Sequence, residues 1–353
     1  MAVDISRLVN KVKRNIEIEA LNGKRIAIDA YNAIYQFLTI IRQPDGTPLI
    51  DSNGRITSHL SGLFYRTINL VEKGIKPVYV FDGIPPILKS RTLEARMNRR
   101  EEAKKKLGEA LSRGDIEEAR KYATESTGIS KEVVSESKEL LRLMGIPFVQ
   151  APGEGEAEAA SMVIDGAAYA VGSQDYDSFL FGAKKVIRNL SITGRRKLPK
   201  KNIFINIGIE EVDLEELLRS FGIDRRRLVW IGILIGNDFI EGIKGIGPMK
   251  ALKIVKEHDS LEEIRNYVKN ALNAELGDEI YEVEKIFMEP EVEKIGKEEI
   301  EKKEMKMEID EVGLLRFMVK EHNFSEEKVK KYIDILKSKK YSNRQRGIED
   351  YLR

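Results

Sequence analysis

The stretch RIAIDA, residues 25–30, is a short apolar run that stops at a carboxylate. Three later runs repeat this pattern: PVYVFDG at 77–83, IPFVQAP at 146–152 with two glutamates just beyond it, and AAYAVGSQDYD at 167–177. Such runs predict buried strands, and parallel strands bring their carboxyl ends to one edge, where open α/β folds hold ligands. The sequence therefore predicts a crevice that collects six acids: Asp29, Asp82, Glu154, Glu156, Asp175 and Asp177.

A cation is required to hold so many acids together. Like charges at short range raise the pKa of each neighbouring carboxyl and oppose its ionisation. The chain has no cysteine and only three histidines, at 59, 258 and 322, which argues against a zinc or copper site. Oxygen ligands alone select hard divalent ions, so we expect Mg²⁺ or Mn²⁺.

Basic residues are concentrated in two stretches, although the net charge of the 353 residues is only +2. Basic stripes beside an acidic metal pocket suit a polyanion whose backbone is held electrostatically while one phosphate meets the metal. The first stretch contains Lys89, Arg91, Arg96, Arg99, Arg100, Lys104, Lys105 and Lys106, and the second contains Lys184, Lys185, Arg188, Arg195, Arg196, Lys197, Lys200 and Lys201.

Composition bounds the class of protein. The length allows a full hydrophobic core, in one elaborated α/β domain or in two domains. No segment resembles a signal peptide or reaches the roughly 18 apolar residues of a membrane span, so we expect no membrane partner and an intracellular location, cytoplasmic in a prokaryote. One third of the residues are charged, which is typical of thermophilic proteins.

The connection between the second and third predicted strands, residues 84–145, is far longer than a crossover requires. Its first half, LKSRTLEARMNRREEAKKKLGEAL, has no continuous apolar stripe, so it cannot be a core helix. One interpretation is a solvated helical insertion. Because the segment starts at the strand end that carries Asp82, we prefer an insertion whose basic side chains overhang the predicted metals.

A glycine-rich turn, GIKGIGP at 242–248, leads into a predicted helix. It follows a helix-like run and not a strand, which excludes a dinucleotide-binding fingerprint. Proline at the first helical position leaves the free backbone N–H groups of the helix start available to bind phosphate. An ordinary helix connector is the alternative.

Seven segments appear in order along the chain: IDAYNAIYQFL, TSHLSGLFYRT, VYVFDGIPP, QAPGEGEAEAA, SQDYDSFLFGA, RNLSITGRRKLP and ILIGNDFIEGIKGIGPMKA. From about Gly23 to about Lys256 the chain resembles flap endonucleases of the archaeal and eukaryotic kind, within the structure-specific 5′ nuclease family. The resemblance implies an α/β fold of the PIN-like 5′ nuclease type, with a mostly parallel central sheet flanked by helices, a helical arch and a helix-hairpin-helix element.

The resemblance also implies a domain organisation. Residues 1–340 would form a single nuclease domain, and residues 341–353 a C-terminal tail. Within the domain we expect an N-terminal nuclease region at about 1–110, the arch at about 84–135, and an internal nuclease region at about 136–260 that includes the helix-hairpin-helix at about 228–257. We expect the chain to be monomeric on its own.

The metal ligands implied by the resemblance are the six acids above and Asp238, which strand counting does not find because it follows a helix-like run. Two Mg²⁺ or Mn²⁺ ions would be held by Asp29, Asp82, Glu154, Glu156, Asp175, Asp177 and Asp238. Lys89 and Arg96 match the family's gateway cations and join Asp175 as catalytic residues. Glu158, one turn after Glu154, matches no family ligand, and we interpret it as structural.

Further residues match DNA contacts of the family. Tyr35 matches an aromatic on which a base near the cut stacks, although an amphipathic helix tyrosine facing the core is the alternative. A pocket for a one-nucleotide 3′ flap is implied at Arg42, Thr57, Ser58, His59 and Arg66, where a structural His59 is the simpler interpretation. The helix-hairpin-helix would grip duplex backbone and hold a K⁺ ion through main-chain carbonyls, and its contacts are assigned to Gly242, Gly245, Gly247 and Lys250.

The tail ends SNRQRGIEDYLR. Its glutamine and its later hydrophobic residues have the spacing of a peptide that docks on the DNA sliding clamp, although leucine at the last position departs from the usual aromatic pair. A fraying terminal helix is the alternative. The clamp-binding residues would be Gln345, Ile348, Tyr351 and Leu352.

These resemblances predict a Mg²⁺-dependent endonuclease that cuts flap or branched DNA at the base of 5′ flaps, with 5′–3′ exonuclease activity, in Okazaki fragment processing and DNA repair. A related 5′ exonuclease or bubble-cutting enzyme shares the chemistry. A non-catalytic branched-DNA or clamp-binding module would predict lost ligands, and none of the seven is lost. A small-molecule phosphatase or glycosyltransferase would not explain the glycine turn or the basic insertion.

Overall fold

A computed structural model of the chain describes residues 3–43, 46–190, 194–197 and 204–351. The side chains of residues 194–197, 204–206 and 340–351 are outside this description. No helix within these ranges is both long and apolar enough to cross a membrane.

A seven-stranded sheet forms the centre of the protein. The strands of the described residues are β1 (Arg14–Ile16), β2 (Arg25–Asp29), β3 (Lys76–Phe81), β4 (Phe148–Gln150), β5 (Ala170–Gly172), β6 (Lys185–Arg188), β7 (Gly194–Lys197), β8 (Phe204–Ile207) and β9 (Ile209–Asp213). The strand order in the sheet is β1-β9-β6-β5-β2-β3-β4, and β7 pairs only with β8. The five strands from β6 to β4 are parallel, while β9 runs antiparallel to β6 and β1. The predicted mostly parallel sheet is therefore confirmed.

Helices cover the sheet and extend beyond it. They are α1 (Ser6–Val9), α2 (Ala30–Ile40), α3 (Ser58–Glu72), α4 (Ser90–Ser112), α5 (Ile116–Glu125), α6 (Lys131–Leu143), α7 (Gly155–Ile164), α8 (Asp177–Leu180), α9 (Leu214–Phe221), α10 (Arg225–Ile235), α11 (Pro248–Glu257), α12 (Leu261–Leu272), α13 (Glu279–Met288), α14 (Lys297–Lys306), α15 (Glu311–Leu314) and α16 (Glu326–Tyr351). Short 3₁₀ turns occur at Ile18–Leu21 and Ile87–Lys89, and a π-helical segment covers Leu315–Glu321.

Two hydrophobic cores lie on the two faces of the sheet because side chains alternate along each strand. On β3, Val78 and Val80 enter the core that includes residues of α7, α10 and α11, whereas Tyr79 and Phe81 enter the core formed with α2, α3 and α6. All four side chains are buried. This double burial explains why the strands read as continuous apolar runs in the sequence.

The long connection after β3 forms a helical pair that rises from the sheet edge. In α4 only Ala103 and Ala110 are buried, and in α5 only Ala119 and Ala123 are. Small residues let the two helices pack closely while their charged side chains remain in solvent. The expected helical arch is confirmed, and its second helix ends before α6 returns the chain to the sheet.

Arg25 ties the start of β2 to the C-terminal half of the chain. Its side chain is only 8% exposed, and its guanidinium donates two hydrogen bonds of 2.8 Å to the carboxylate of Glu304 on α14. It also donates a 3.1 Å bond to the carbonyl of Ala167. Bidentate arginine–carboxylate pairs are the strong kind of ion pair, so this contact holds α14 against the sheet.

Candidate active site

Strand ends bring the first acids of the site together. Asp29 ends β2 and caps α2, accepting a 3.0 Å hydrogen bond from the Asn32 N–H. Asp82 follows β3 and accepts a 2.7 Å bond from the Gly155 N–H. Asp175 follows β5 and accepts a 3.0 Å bond from Asn32 Nδ2. Because β2, β3 and β5 are adjacent and parallel, these three acids share one edge of the sheet.

Two more acids stand in the first turns of helices at the same edge. Glu156, in α7, accepts hydrogen bonds from the hydroxyls of Ser178 (2.7 Å) and Ser173 (3.2 Å). Asp177, the first residue of α8, accepts a 2.9 Å bond from the Val3 N–H. Carboxylates are stabilised at helix N-termini by the free N–H groups and the helix dipole, which partly offsets the burial of these charges.

The last two acids contact cations from the base of the arch. Lys89 Nζ pairs with Glu154, the N-cap of α7, and lies 3.7 Å from Asp238 Oδ2. Arg96, on the first turns of α4, pairs with Asp238. The structure therefore places the two sequence-predicted cations directly over the acids.

The seven acids form one electrostatic network. Burial, and then repulsion from neighbouring carboxylates, raises the pKa of Asp29, Asp82, Glu154, Glu156, Asp175 and Asp177. For Asp177 the pKa reaches about 7. Burial also opposes ionisation of Asp238, but Arg96 and Lys89 outweigh it and lower the pKa of Asp238. Burial alone would lower the pKa of Lys89, yet Glu154 and Asp82 raise it.

These residues fit hard divalent cations by their chemistry. All donors are carboxylate oxygens. Among the acids of the described residues, Lys89 and Arg96 form ion pairs with Glu154 and Asp238. The other five acids have no cationic partner at ion-pair distance among the residues that the structure describes, and the raised pKa of Glu156, for example, reflects negative charge that is not neutralised. Within the described ranges, however, no three His, Asp or Glu side chains are already arranged around one metal position. The ion pairs with Lys89 and Arg96 hold Glu154 and Asp238 toward the arch.

Around the acids, α2 exposes an aromatic ring. Tyr35 is 40% exposed, in contrast to Ile34 and Phe37 on the same helix, which are buried. The alternative of a core-facing tyrosine is therefore wrong, and stacking against a base stays a prediction.

Of the residues assigned to a 3′ flap pocket, Arg42, Thr57, Ser58 and His59 lie near the start of α3, whereas Arg66 lies about two turns further along that helix. Arg42 donates to the carbonyls of Thr39 (3.1 Å) and Gly46 (2.8 Å) and contacts Thr127 Oγ1. Thr57 is buried. Arg66 lies half-buried on α3.

Neighbouring polar residues of this region make internal contacts, but the buried Nδ1 of His59 has no hydrogen-bond partner among the described residues. The hydroxyl of Ser58 donates a 2.6 Å bond to the carbonyl of Ile41. Fully buried His59 lies 3.0 Å from Glu136 Oε2, which agrees with a structural histidine.

The glycine turn joins α10 to α11 as a helical hairpin. Gly242 packs so closely on the end of α10 that an added Cβ would clash with the Ile235 carbonyl, and Gly245 has φ +83°. Pro248 occupies the first helical position of α11, as predicted. The residues assigned to DNA contact are all exposed: Gly242, Gly245, Gly247 and Lys250.

Two remaining assignments concern Glu158 and the C-terminal tail. Glu158 is fully buried and accepts a 2.7 Å hydrogen bond from the Glu293 N–H, which agrees with a structural role. In the tail, the backbone of α16 continues through Tyr351. The clamp-peptide side chains of Gln345, Ile348 and Tyr351, and the whole of Leu352, lie outside the described residues.

Sequence reasoning missed the neutral residues that orient the acids. Asn32 bonds both Asp29 and Asp175, and Ser178 bonds Glu156. A signal existed for the first, because Asn32 stands three residues after Asp29, the spacing at which an N-cap side chain meets a backbone N–H. Nothing in the sequence indicated the bond from the Val3 N–H to Asp177.

Family models match two parts of the chain: the XPG N-terminal domain over residues 1–103 and the XPG I-region over residues 145–238. All seven acids and both arch cations fall within these ranges. A parallel sheet with buried acids at its carboxyl edge, beneath a basic arch, together with these matches, defines a nuclease of the XPG class.

Comparison with similar proteins identifies the family within this class. Flap endonuclease 1 of Thermococcus onnurineus is 50% identical over 353 residues, covering 99% of each chain. The structure of flap endonuclease-1 from Methanococcus jannaschii has a TM-score of 0.70 and 38% identity, covering 95% of this chain and 98% of its own. The catalytic core of Rad2 in complex with DNA substrate has a TM-score of 0.66 and 26% identity, covering 95% of this chain and 100% of its own. The chain belongs to the flap endonuclease 1 family.

Proposed function

We propose that this protein is a Mg²⁺-dependent endonuclease that cuts DNA at the base of 5′ flaps and leaves a 5′ phosphate and a 3′ hydroxyl. We extend the proposal to 5′–3′ exonuclease activity and to a role in Okazaki fragment processing and DNA repair. The observation that carries it is the network of seven buried or half-buried acids beneath Lys89 and Arg96. Family membership and the DNA complex of Rad2 support a nucleic-acid substrate.

The ligands of two divalent ions would be the seven acids, Asp29, Asp82, Glu154, Glu156, Asp175, Asp177 and Asp238. When bound, two such ions supply an activated water and stabilise the leaving 3′ oxygen of an in-line displacement. Asn32, Ser173 and Ser178 fix the orientation of their carboxylate partners by the hydrogen bonds described above. Carboxylates that are already oriented need little rearrangement to bind a metal ion, so less free energy is lost on binding.

Lys89 and Arg96 would bind the scissile phosphodiester. In this structure they pair with Glu154 and Asp238. Once those two acids served as metal ligands, both side chains would be available to the phosphate. Positive groups aimed at developing negative charge are worth about 10²- to 10³-fold in rate for a single donor in other enzymes.

DNA outside the cut would be held by the remaining sites. The α10–α11 hairpin exposes Gly245, Gly247 and Lys250, which suits binding of the duplex backbone, with a K⁺ ion on main-chain carbonyls. Exposed Tyr35 would stack on a base. Arg42, Thr57 and Arg66 would receive a one-nucleotide 3′ flap, and the tail from Gln345 to Leu352 would dock on the sliding clamp.

The test is a labelled double-flap DNA incubated with Mg²⁺ or with EDTA. We expect cleavage at the flap base only with Mg²⁺, and we expect Asp175→Ala to abolish cleavage while DNA binding persists. Glu158→Gln is the matched control, since it removes a buried carboxylate of α7 that contacts Glu293 and not the acid network. Cleavage by the Asp175→Ala variant would refute the assignment. Binding without cleavage by the unaltered protein would favour a non-catalytic module.

A further inference from the structure

The loop between β3 and the arch exposes two large apolar side chains. Ile84 is 83% exposed and Ile87 is 87% exposed, more than any other large apolar residue within the described part of the chain. Single exposed apolar residues are ordinary on protein surfaces. These two are notable for their position, because they lie between Asp82 and Lys89, whose side chains both belong to the acid network.

The backbone that carries the two isoleucines is bonded to the loop after β4 at one end and forms a 3₁₀ turn at the other. The Gly83 N–H donates a 2.6 Å bond to the carbonyl of Gly153, and the Ile84 N–H donates a 2.9 Å bond to the carbonyl of Pro152. At the other end, the Lys89 N–H donates a 2.9 Å bond to the carbonyl of Pro86.

Neighbouring side chains restrain the loop further. Leu88 packs against the core, and two consecutive prolines, Pro85 and Pro86, restrict the segment in between. Apolar side chains presented on a restrained backbone lose little conformational entropy when a ligand covers them.

The chemistry of the surroundings identifies the ligand. Lys89 and Arg96 supply positive charge for a phosphate, and the apolar partners of a phosphate within a DNA strand are its flanking nucleobases. In other DNA-binding proteins, isoleucine, leucine and proline side chains enter between base steps and unstack them. We propose that Ile84 and Ile87 contact the unpaired nucleobases next to the scissile phosphate and hold them out of the stack. This inference rests on the proposed nuclease function.

The experiment compares the Ile84→Ser/Ile87→Ser double variant with the unaltered protein. A double-flap DNA carries 2-aminopurine next to the cleavage position, and binding is measured in EDTA so that no cleavage occurs. We expect the unaltered protein to raise the 2-aminopurine fluorescence. In the double variant we expect that rise to be lost and binding of this DNA to weaken about tenfold.

Controls separate the contact from folding and from general DNA binding. Val312→Ser removes an equally exposed apolar side chain on α15 and should leave both readouts unchanged. An Ile84→Leu/Ile87→Leu variant should restore them. Equal fluorescence and affinity in the double variant and the unaltered protein would overturn the inference, even where flap cleavage occurs. Failure of the unaltered protein to cut flaps in Mg²⁺ would instead count against the proposed function.

Discussion

Replacing Lys89 by methionine would remove the cation at the centre of the acid network while keeping most of its volume. Lys89 Nζ contacts Glu154 and lies 3.7 Å from Asp238, and the side chains of all three residues are nearly buried. Removing one partner of a buried ion pair leaves an uncompensated charge, at a cost of about 3–5 kcal/mol in other proteins. In a chain of 353 residues, we expect the midpoint of thermal unfolding to fall by about 5 °C in EDTA.

Divalent ions should reverse most of this loss, because they neutralise the same carboxylates. Mg²⁺ should therefore raise the unfolding midpoint of the Lys89→Met variant more than that of the unaltered protein. The assay is differential scanning calorimetry of both proteins in EDTA and in saturating Mg²⁺. On the same arch, Lys106→Met is the matched control, since exposed Lys106 contacts Glu102 and the Tyr122 ring, outside the acid network, and its loss should change neither condition.

Two results would refute this reasoning. If Lys89→Met lowers the midpoint equally with and without Mg²⁺, then Lys89 stabilises the fold by packing and not by neutralising metal-binding acids. If the midpoint in EDTA does not fall at all, the acids do not share a buried charge that Lys89 compensates.

Three further changes test other parts of the structure. Arg25→Met should lower the free energy of unfolding, measured in urea, by about 3 kcal/mol, because it leaves the Glu304 carboxylate without its partner. Adding Glu304→Gln should recover part of that loss. If the effects of the two changes simply add, the pairing of Arg25 with Glu304 is contradicted. Gly242→Ala should cost about 1–3 kcal/mol because its Cβ clashes with the end of α10, whereas Gly247→Ala has open space and should cost little; equal melting temperatures would argue against this hairpin geometry. Burial lowers the pKa of His322, so the unfolded chain binds a proton at this residue more readily than the folded protein does. The free energy of unfolding should therefore decrease as the pH drops below about 6.5. Urea titrations at pH 7.5 and 5.5 should show a smaller decrease for His322→Gln than for the unaltered protein.

The antiparallel edge of the sheet could not be predicted from apolar patterns in the sequence. Strands β1 and β9 were not predicted, because RNI and IEEVD carry too many polar residues to form apolar runs. The structure explains this composition: two of the three β1 residues are exposed, and three of the five β9 residues are only half-buried. The short apolar run of β8, Phe204–Ile207, pairs with β7 in a separate hairpin, since such a run does not say which sheet it joins.

The residues of the candidate site also divide into those that local sequence predicts and those that depend on tertiary packing. Asp29, Asp82 and Asp175 were found from residues alone, with the three other acids of the predicted crevice, because each lies at the end of a buried strand or within three residues of it. Asp238 required the resemblance, since it follows α10 and reaches the site only through the packing of that helix. The pairing of Arg96 with Asp238, 142 positions apart in the chain, has no local signal.

By itself, the sequence determined the parallel strands, the acids at their ends, the polar arch and the helical hairpin, because burial periodicity and turn residues act over a few neighbouring positions. Only the tertiary structure decided which cation meets which acid, and that Tyr35, Ile84 and Ile87 are exposed to solvent. These outcomes depend on distances between segments far apart in the chain. Electrostatic and packing energies follow those distances, which no local pattern encodes.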